Sequence, residues 1–184
     1  MPSMTETQTS RRDVLTAMAA AGLSPATPNT SMAELHSRHL FTLSIDLRPI
    51  LEMGATPAGV RRIVPVAGGE FRGERLRGRV LPEAGSDLLL VRADGAAQQD
   101  VRLLLQTHDD AVVLMTYRGV RHGTREVNER IARGEPVANS DYYLRIAPFF
   151  ETGAPSYAWL NLILAVGTGE RRPNGVVYEV FEIL

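Results

Sequence analysis

Ionisable and aromatic side chains recur at every second position through the later half of the chain. On Asp100 to Thr107, one set is Asp100, Arg102, Leu104 and Gln106, and the other is Val101, Leu103, Leu105 and Thr107. Successive side chains of a strand point to opposite sides, so the two sets face different surroundings. The second set is apolar and suits packing; the first either meets solvent or lines a polar cavity. On Tyr142 to Glu151, the alternation groups Tyr143, Arg145, Ala147, Phe149 and Glu151, and read as extended chain the following residues group Tyr157, Trp159 and Asn161. Rings beside a carboxylate and an amide are what a small aromatic or cyclic ligand needs: Trp159 and Tyr157 offer stacking area, Asn161 and Glu151 directional bonds. A plainer role is as available: Trp159, the single tryptophan, can anchor a core, and Asn161 can bond a turn.

The chemistry open to such a set is proton transfer. A buried carboxylate has its pKa raised by lost solvation and lowered by a nearby arginine. Glu151 or Asp100 could then act as a general base near neutral pH, with Arg102 or Arg145 holding an anionic group and Tyr117 or Tyr143 giving a proton. Other chemistries lack their residues. His36 and His39 stand at i, i+3 with no third ligand at metal spacing, so no metal is expected. Gly85-Ser86-Asp87 lacks the flanking glycines of a nucleophile elbow. Gly68-Gly69-Glu70 has no strand-to-helix crossover around it and is no dinucleotide fingerprint. No cofactor is expected.

The elements that would position these residues are strands. Leu40 to Arg48 alternates strictly and stops at Pro49, and Gly54 to Gly59 reads as a turn. Further strands are expected over Val60 to Val66, Glu70 to Leu81 (with Gly73 and Gly78 at turns or bulges), Ser86 to Arg92, Asp100 to Thr107, Ala111 to Tyr117, Tyr142 to Glu151, Trp159 to Val166 and Val176 to Ile183. Arg171 to Gly175 reads as an exposed hairpin tip. One helix is expected over Thr124 to Arg133, with Thr124 as N-cap and Gly134 and Pro136 stopping it. Short Gly/Pro spacers favour hairpins, so the fold class is all-β: an antiparallel β-barrel of about eight to ten strands with one short helix, leaving room inside for side chains or one small ligand.

Composition narrows the partners. The 184 residues carry 20 Lys+Arg and 21 Asp+Glu, which provides no cationic excess for nucleic acid. No apolar run nears the roughly 20 residues of a membrane span, so no membrane partner is expected either. There is no cysteine, which removes disulfides and thiolate chemistry. Residues 1–31 differ from the body in being rich in Ser, Thr, Ala and Pro. Ser10-Arg11-Arg12-Asp13 ahead of a mildly apolar stretch resembles a twin-arginine export signal. Read so, the protein is periplasmic; read as a short helix packed on the body or on a partner subunit, it is cytoplasmic. Residues 32–184 form the single barrel domain.

Three stretches, Gly54 to Asp87, Ala93 to Gly119 and Tyr142 to Asn161, resemble the domain-of-unknown-function 3237 family, the most specific piece being Phe150-Glu151-Thr152-Gly153 followed by Tyr157-Ala158-Trp159-Leu160-Asn161. The resemblance runs from about Leu40 to the end. It implies a small β-barrel, often a homodimer, with no function common to the family, and its pattern retains the Asp and Arg at 100 and 102, which favours a lined cavity there. Two departures stand out. Leu88 replaces an aromatic residue and bears on the pocket; Asp110 replaces a glycine and bears on a turn. The reading is an enzyme, cofactor-free, that moves a proton on a small aromatic or cyclic molecule, of lyase or isomerase type, with Glu151, Asp100, Arg102 and Tyr117 catalytic and Trp159, Tyr157, Asn161, Arg145 and Tyr143 binding the substrate. A carrier of a small ligand and a structural dimer module remain as alternatives.

Overall fold

A computed structural model describes residues 34–184. The export-signal reading of residues 1–31 lies outside them. Ten strands follow in order: β1 (Ser37–Leu47), β2 (Leu51–Thr56), β3 (Gly59–Arg72), β4 (Arg77–Val80), β5 (Ser86–Val91), β6 (Ala97–Thr107), β7 (Val112–Gly123), β8 (Tyr142–Glu151), β9 (Ala165–Arg172) and β10 (Gly175–Ile183). Helix α1 (Arg125–Ala132) links β7 to β8. All pairings are antiparallel, and β1 pairs both β10 and β3, which closes the sheet into a barrel. The ten strands occupy eight positions in the wall. β4 and β5 lie end to end between β3 and β6, and β2 takes over from β1 along the first half of β3.

Two local devices make this closure. β3 bends at Gly68 and Gly69, whose φ angles of 142° and 141° lie in the region that favours glycine. A Cβ at Gly69 would stand 2.1 Å from the Ser44 carbonyl oxygen. The bend shifts the β1–β3 register between Asp46 and Leu47, a bulge of the kind that turns barrel corners. The second device is Pro49. It stops β1, and the chain peels away from β10, whose pairing with β1 ends at Asp46–Gly175. The wall therefore parts at that end, beside the β9–β10 turn.

The lumen is filled at the opposite end. Phe41, Phe71 and Phe150 pack at ring separations of 5.6 and 5.9 Å, and Leu103, Leu105, Val113 and Met115 are fully buried beneath them. A 3-10 segment over Pro155–Leu162 covers this end, burying Tyr157 and Leu160. Here the sequence expectation of a strand over Trp159 to Val166 fails. The Pro155 start favours a helical turn, and the strand begins only at Ala165. The period becomes three, so Tyr157 and Leu160 point inward together while Trp159 and Asn161 do not join them. Other bounds moved as well: β6 starts three residues earlier than expected, β7 runs on to Gly123, β9 extends to Arg172, β3 continues through Gly68 and Gly69 to Arg72 where a break was expected, and β2 adds a strand that takes in part of the expected Gly54 to Gly59 turn. Helix α1 is as expected, with Val127 N donating to the Thr124 hydroxyl. Asp110 has φ 65°, a conformation glycine favours and Asp tolerates, which explains why a turn glycine can be replaced there.

Leu103 has no exposed surface. Leu103→Ala is expected to lower unfolding free energy by about 3 kcal/mol through lost burial and a residual cavity, read by urea denaturation.

Candidate functional site

Large apolar side chains fill the closed half of the barrel, and polar ones take their place in the open half. A cavity of about 380 Å³ occupies that half. Its apolar wall comes from β1, β3, β5 and β8, through residues such as Ile45, Val66, Leu89 and Leu144. Its polar lining includes Asp87 from β5, Gln99 from β6, Tyr117 and Arg121 from β7, and Tyr178 from β10, together with Arg48, Arg171, Arg172 and Asn174.

Strand register sets their depth. Asp87 pairs with Val101, which pairs with Tyr117, so these three strands present Asp87 and Tyr117 at one level. One step toward the mouth, Gln99 lies opposite Gly119, where a Cβ would stand 2.3 Å from the Gln99 Oε1 atom. The glycine thus leaves the space that the amide occupies. A further step out, Ala97 pairs with Arg121. Tyr178 reaches across from the other wall. The Gln99 amide donates to its phenol oxygen at 2.9 Å, and its ring meets Tyr117 edge to face at 5.6 Å. The missing side chain at Gly169 makes room for the rings, since a Cβ there would come within 2.6 Å of both Tyr178 and Leu144.

Burial sets the protonation states. Asp87 has a pKa pushed up to about 6, first by lost solvation; the hydrogen bond it accepts from the Asp100 backbone N–H at 3.1 Å and the charges of Arg121 and Arg61 oppose the shift. Burial also holds Tyr117 well above the usual phenol range, reinforced by the neighbouring Tyr178 and Asp87, and raises Tyr178 to about 12. Both phenols therefore keep their protons across the physiological range. Burial lowers Arg121 to about 10, with the charges of Arg171 and Arg62 adding to the effect. Neither the Nε of Arg121 nor the Oε1 of Gln99 has a hydrogen-bond partner.

Of the residues singled out from sequence, Tyr117 lines the cavity. The others lie elsewhere. Asp100 and Arg102 occupy the outer face of β6, where Asp100 pairs with Arg102 and with Arg118, each at 3.2 Å. Tyr143, Arg145 and Glu151 are exposed on the outside of β8, Tyr143 stacking on His122 at 5.0 Å and under the Arg145 guanidinium at 4.8 Å. Tyr157 sits at the closed end, donating to Asp109 at 2.9 Å. Asn161 braces the loop after β8 through two bonds of 2.9 Å to Thr152. Trp159 packs beside the core with the Arg75 guanidinium 3.5 Å above its ring. The correction concerns which face turns inward: on β6 it is Gln99, Val101 and Leu103, and on β8 Leu144 and Ile146. Leu88, expected to bear on the pocket, also points outward.

Four cavity residues escaped the sequence reading for identifiable reasons. Gln99 and Arg121 fall just outside the expected strand bounds. Asp87 was weighed only as part of a Ser motif, although a lone Asp alternating with Leu89 and Val91 marks a polar group on an otherwise apolar face. Tyr178, inside the final strand, alternates with Val176 and Val180 in the same manner.

A closed antiparallel barrel, packed at one end and hollow at the other, defines a class of small β-barrel proteins with an internal cavity. Residues 35–183 match the family described as protein of unknown function, DUF3237, and the chain belongs to that family. A UPF0311 protein of Rhodopseudomonas palustris is 37% identical over 150 residues, spanning 82% of this chain and 97% of that protein. The crystal structure of a conserved protein from the same species superposes with a TM-score of 0.80 at 36% identity, over 83% of this chain and 99% of the other. A β-barrel-like protein of Acinetobacter baumannii gives a TM-score of 0.73 at 38% identity, over 83% and 98%. A more distant relative, the hydroalkoxylation enzyme of Penicillium herquei, is 26% identical over 152 residues, or 83% of this chain and 81% of that enzyme.

The raised pKa of Asp87 has a consequence for stability. A folded pKa of about 6 against 3.8 means that the folded protein holds this proton more tightly than the unfolded chain. Asp87 therefore costs stability increasingly as pH rises from about 4 to about 6, and the full cost persists above that. Asp87→Asn, which keeps an acceptor for the Asp100 N–H, is expected to raise stability at pH 8 by on the order of 2 kcal/mol. The gain should vanish near pH 3.5. Denaturant titrations of both proteins at the two pH values read the difference.

Proposed function

We propose that the protein is an acid/base enzyme acting on a small organic molecule held in the open half of the barrel, with Asp87 as the proton carrier. The observation that supports this best is the convergence of Asp87, Tyr117, Gln99, Tyr178 and Arg121 inside one cavity. A carrier of apolar molecules needs no buried carboxylate, and burying one is costly. A group with a pKa of about 6 takes up and releases a proton readily near neutral pH. Tyr117 keeps its proton and offers a hydrogen bond to an oxygen gaining negative charge.

The distant likeness to a hydroalkoxylation enzyme suggests the reaction type. Such a reaction adds an O–H bond across a carbon–carbon double bond. Within one molecule, the hydroxyl proton passes to the Asp87 carboxylate as the oxygen bonds to one alkene carbon. The π electron pair moves to the other carbon, which then takes the proton back from Asp87. Nothing is gained or lost overall, so the net change is an isomerisation; the same proton transfers, run as an elimination that expels a separate alcohol or water, give a lyase.

Conversion of ortho-alkenyl phenols in D2O, followed by NMR, tests the reading. The wild type should close the ring and place deuterium on carbon, with kcat/KM rising through pH 6. Asp87→Asn should lose about 100-fold or more in kcat. Full turnover by that variant would remove Asp87 from the role, and binding of these phenols without deuterium incorporation would point to a carrier instead.

A further inference from the structure

We infer that Arg121 and Arg171, which face the cavity mouth, form a receptor for the anionic end of the ligand, so that the molecule taken up is a small carboxylate or phenolate with an apolar or aromatic body. This rests on the cavity being the ligand site and adds the chemical class of the ligand.

Several arginines are matched by carboxylates: Arg102 and Arg118 with Asp100, Arg62 with Glu52 at 3.1 Å, and Arg172, which also lines the cavity, with Glu170 at 3.0 Å. Arg121 and Arg171 point inward and take part in no ion pair among the described residues. The Nε of Arg121 is buried without any partner. The two stand on strands that flank β8, at the rim above Leu144, where β7 and β9 end in Gly123 and the β9–β10 turn. The charge of Arg171 lies close enough to contribute to the lowered pKa of Arg121.

Holding two mutually repelling guanidinium groups at the mouth of an apolar cavity, one with an orphaned donor, is unfavourable in the empty protein. An incoming carboxylate relieves these costs together: it neutralises charge and accepts the free N–H, and its shape suits the fork geometry of arginine. Asp87 forms no ion pair with Arg121 among the described residues, although the two charges attract; its backbone pairs with Val101, four residues along β6 from the Ala97 that faces Arg121, a step of roughly 13 Å along the strand. A ligand therefore lies along the barrel axis with its acid at the rim and its reacting part at Asp87 and Tyr117.

Isothermal titration with benzoate and cinnamate, and separately with benzamide and cinnamamide, tests the inference. The amides keep the shape and drop the charge. At least one acid is expected to bind ten-fold or more tightly than its amide, less so at high salt. Arg121→Gln should weaken the acid about ten-fold and leave the amide unchanged, with Arg121→Lys between them. Arg171→Gln provides the same comparison should the Arg121→Gln protein fail to fold. Equal affinity of acid and amide for the wild type, failure of both acids to bind, or acid binding untouched by both substitutions would overturn the inference. Asp87→Asn separates the two proposals, since acid binding should survive in that variant whether or not Asp87 carries the proton.

Discussion

In a closed barrel wall, each strand sends every second side chain into the lumen, and neighbouring strands are locked in register by their hydrogen bonds. The lumen is therefore built in layers, and the size of the residues in each layer decides whether that level is core or cavity. In this protein the layers near the β6–β7 turn hold Phe41, Phe71, Leu105, Met115 and Phe150. Nearer the β9–β10 turn they hold Gly119, Gly167 and Gly169 among the wall residues, together with the polar set. The packed end supplies the burial that stabilises the barrel, and the glycine layers release the room that the rings and the amide use.

That division also tunes the chemistry. Asp87 and Tyr117 sit where the packed end meets the cavity, close enough to the core to lose solvation and close enough to the opening to meet a ligand. The Asp100 backbone N–H and the arginine charges moderate the cost of burying the carboxylate without cancelling it, which leaves its pKa at about 6. An aspartate forming a tight salt bridge would be ionised throughout and a poorer proton carrier; one without the backbone bond would be held neutral further. The phenols of Tyr117 and Tyr178 stay protonated beside it and keep the inner wall hydrogen-bonding yet uncharged.

The outer wall explains why the same sequence suggested a different site. Asp100, Arg102, Arg145, Glu151 and Tyr143 alternate as a cavity lining would, because a solvated face and a polar lining have the same period of two. Ion pairs and stacking on the outside, such as Asp100 with two arginines and Tyr143 between His122 and Arg145, produce the clusters of charge and aromaticity that a binding site also shows. The aromatic run after β8 misled for another reason. Pro155 turns the chain into a 3-10 segment, so Tyr157, Trp159 and Asn161 cap the packed end and brace its loop.

By itself the sequence determined the fold class, the family, most strand positions, helix α1 and the break at Pro49, because alternation, capping and turn chemistry are local properties of the chain. It also singled out Tyr117, which the structure places in the cavity lining. Only the tertiary structure decided which of two alternating faces turns inward at β6 and β8, that Asp87, Gln99, Arg121 and Tyr178 meet although they are spread over more than ninety positions, and that Arg171 joins the rim rather than an exposed hairpin tip. The physical reason is that inward and outward are defined by closure. A strand carries two faces, and until β1 pairs with both β3 and β10 nothing local assigns either of them to the lumen.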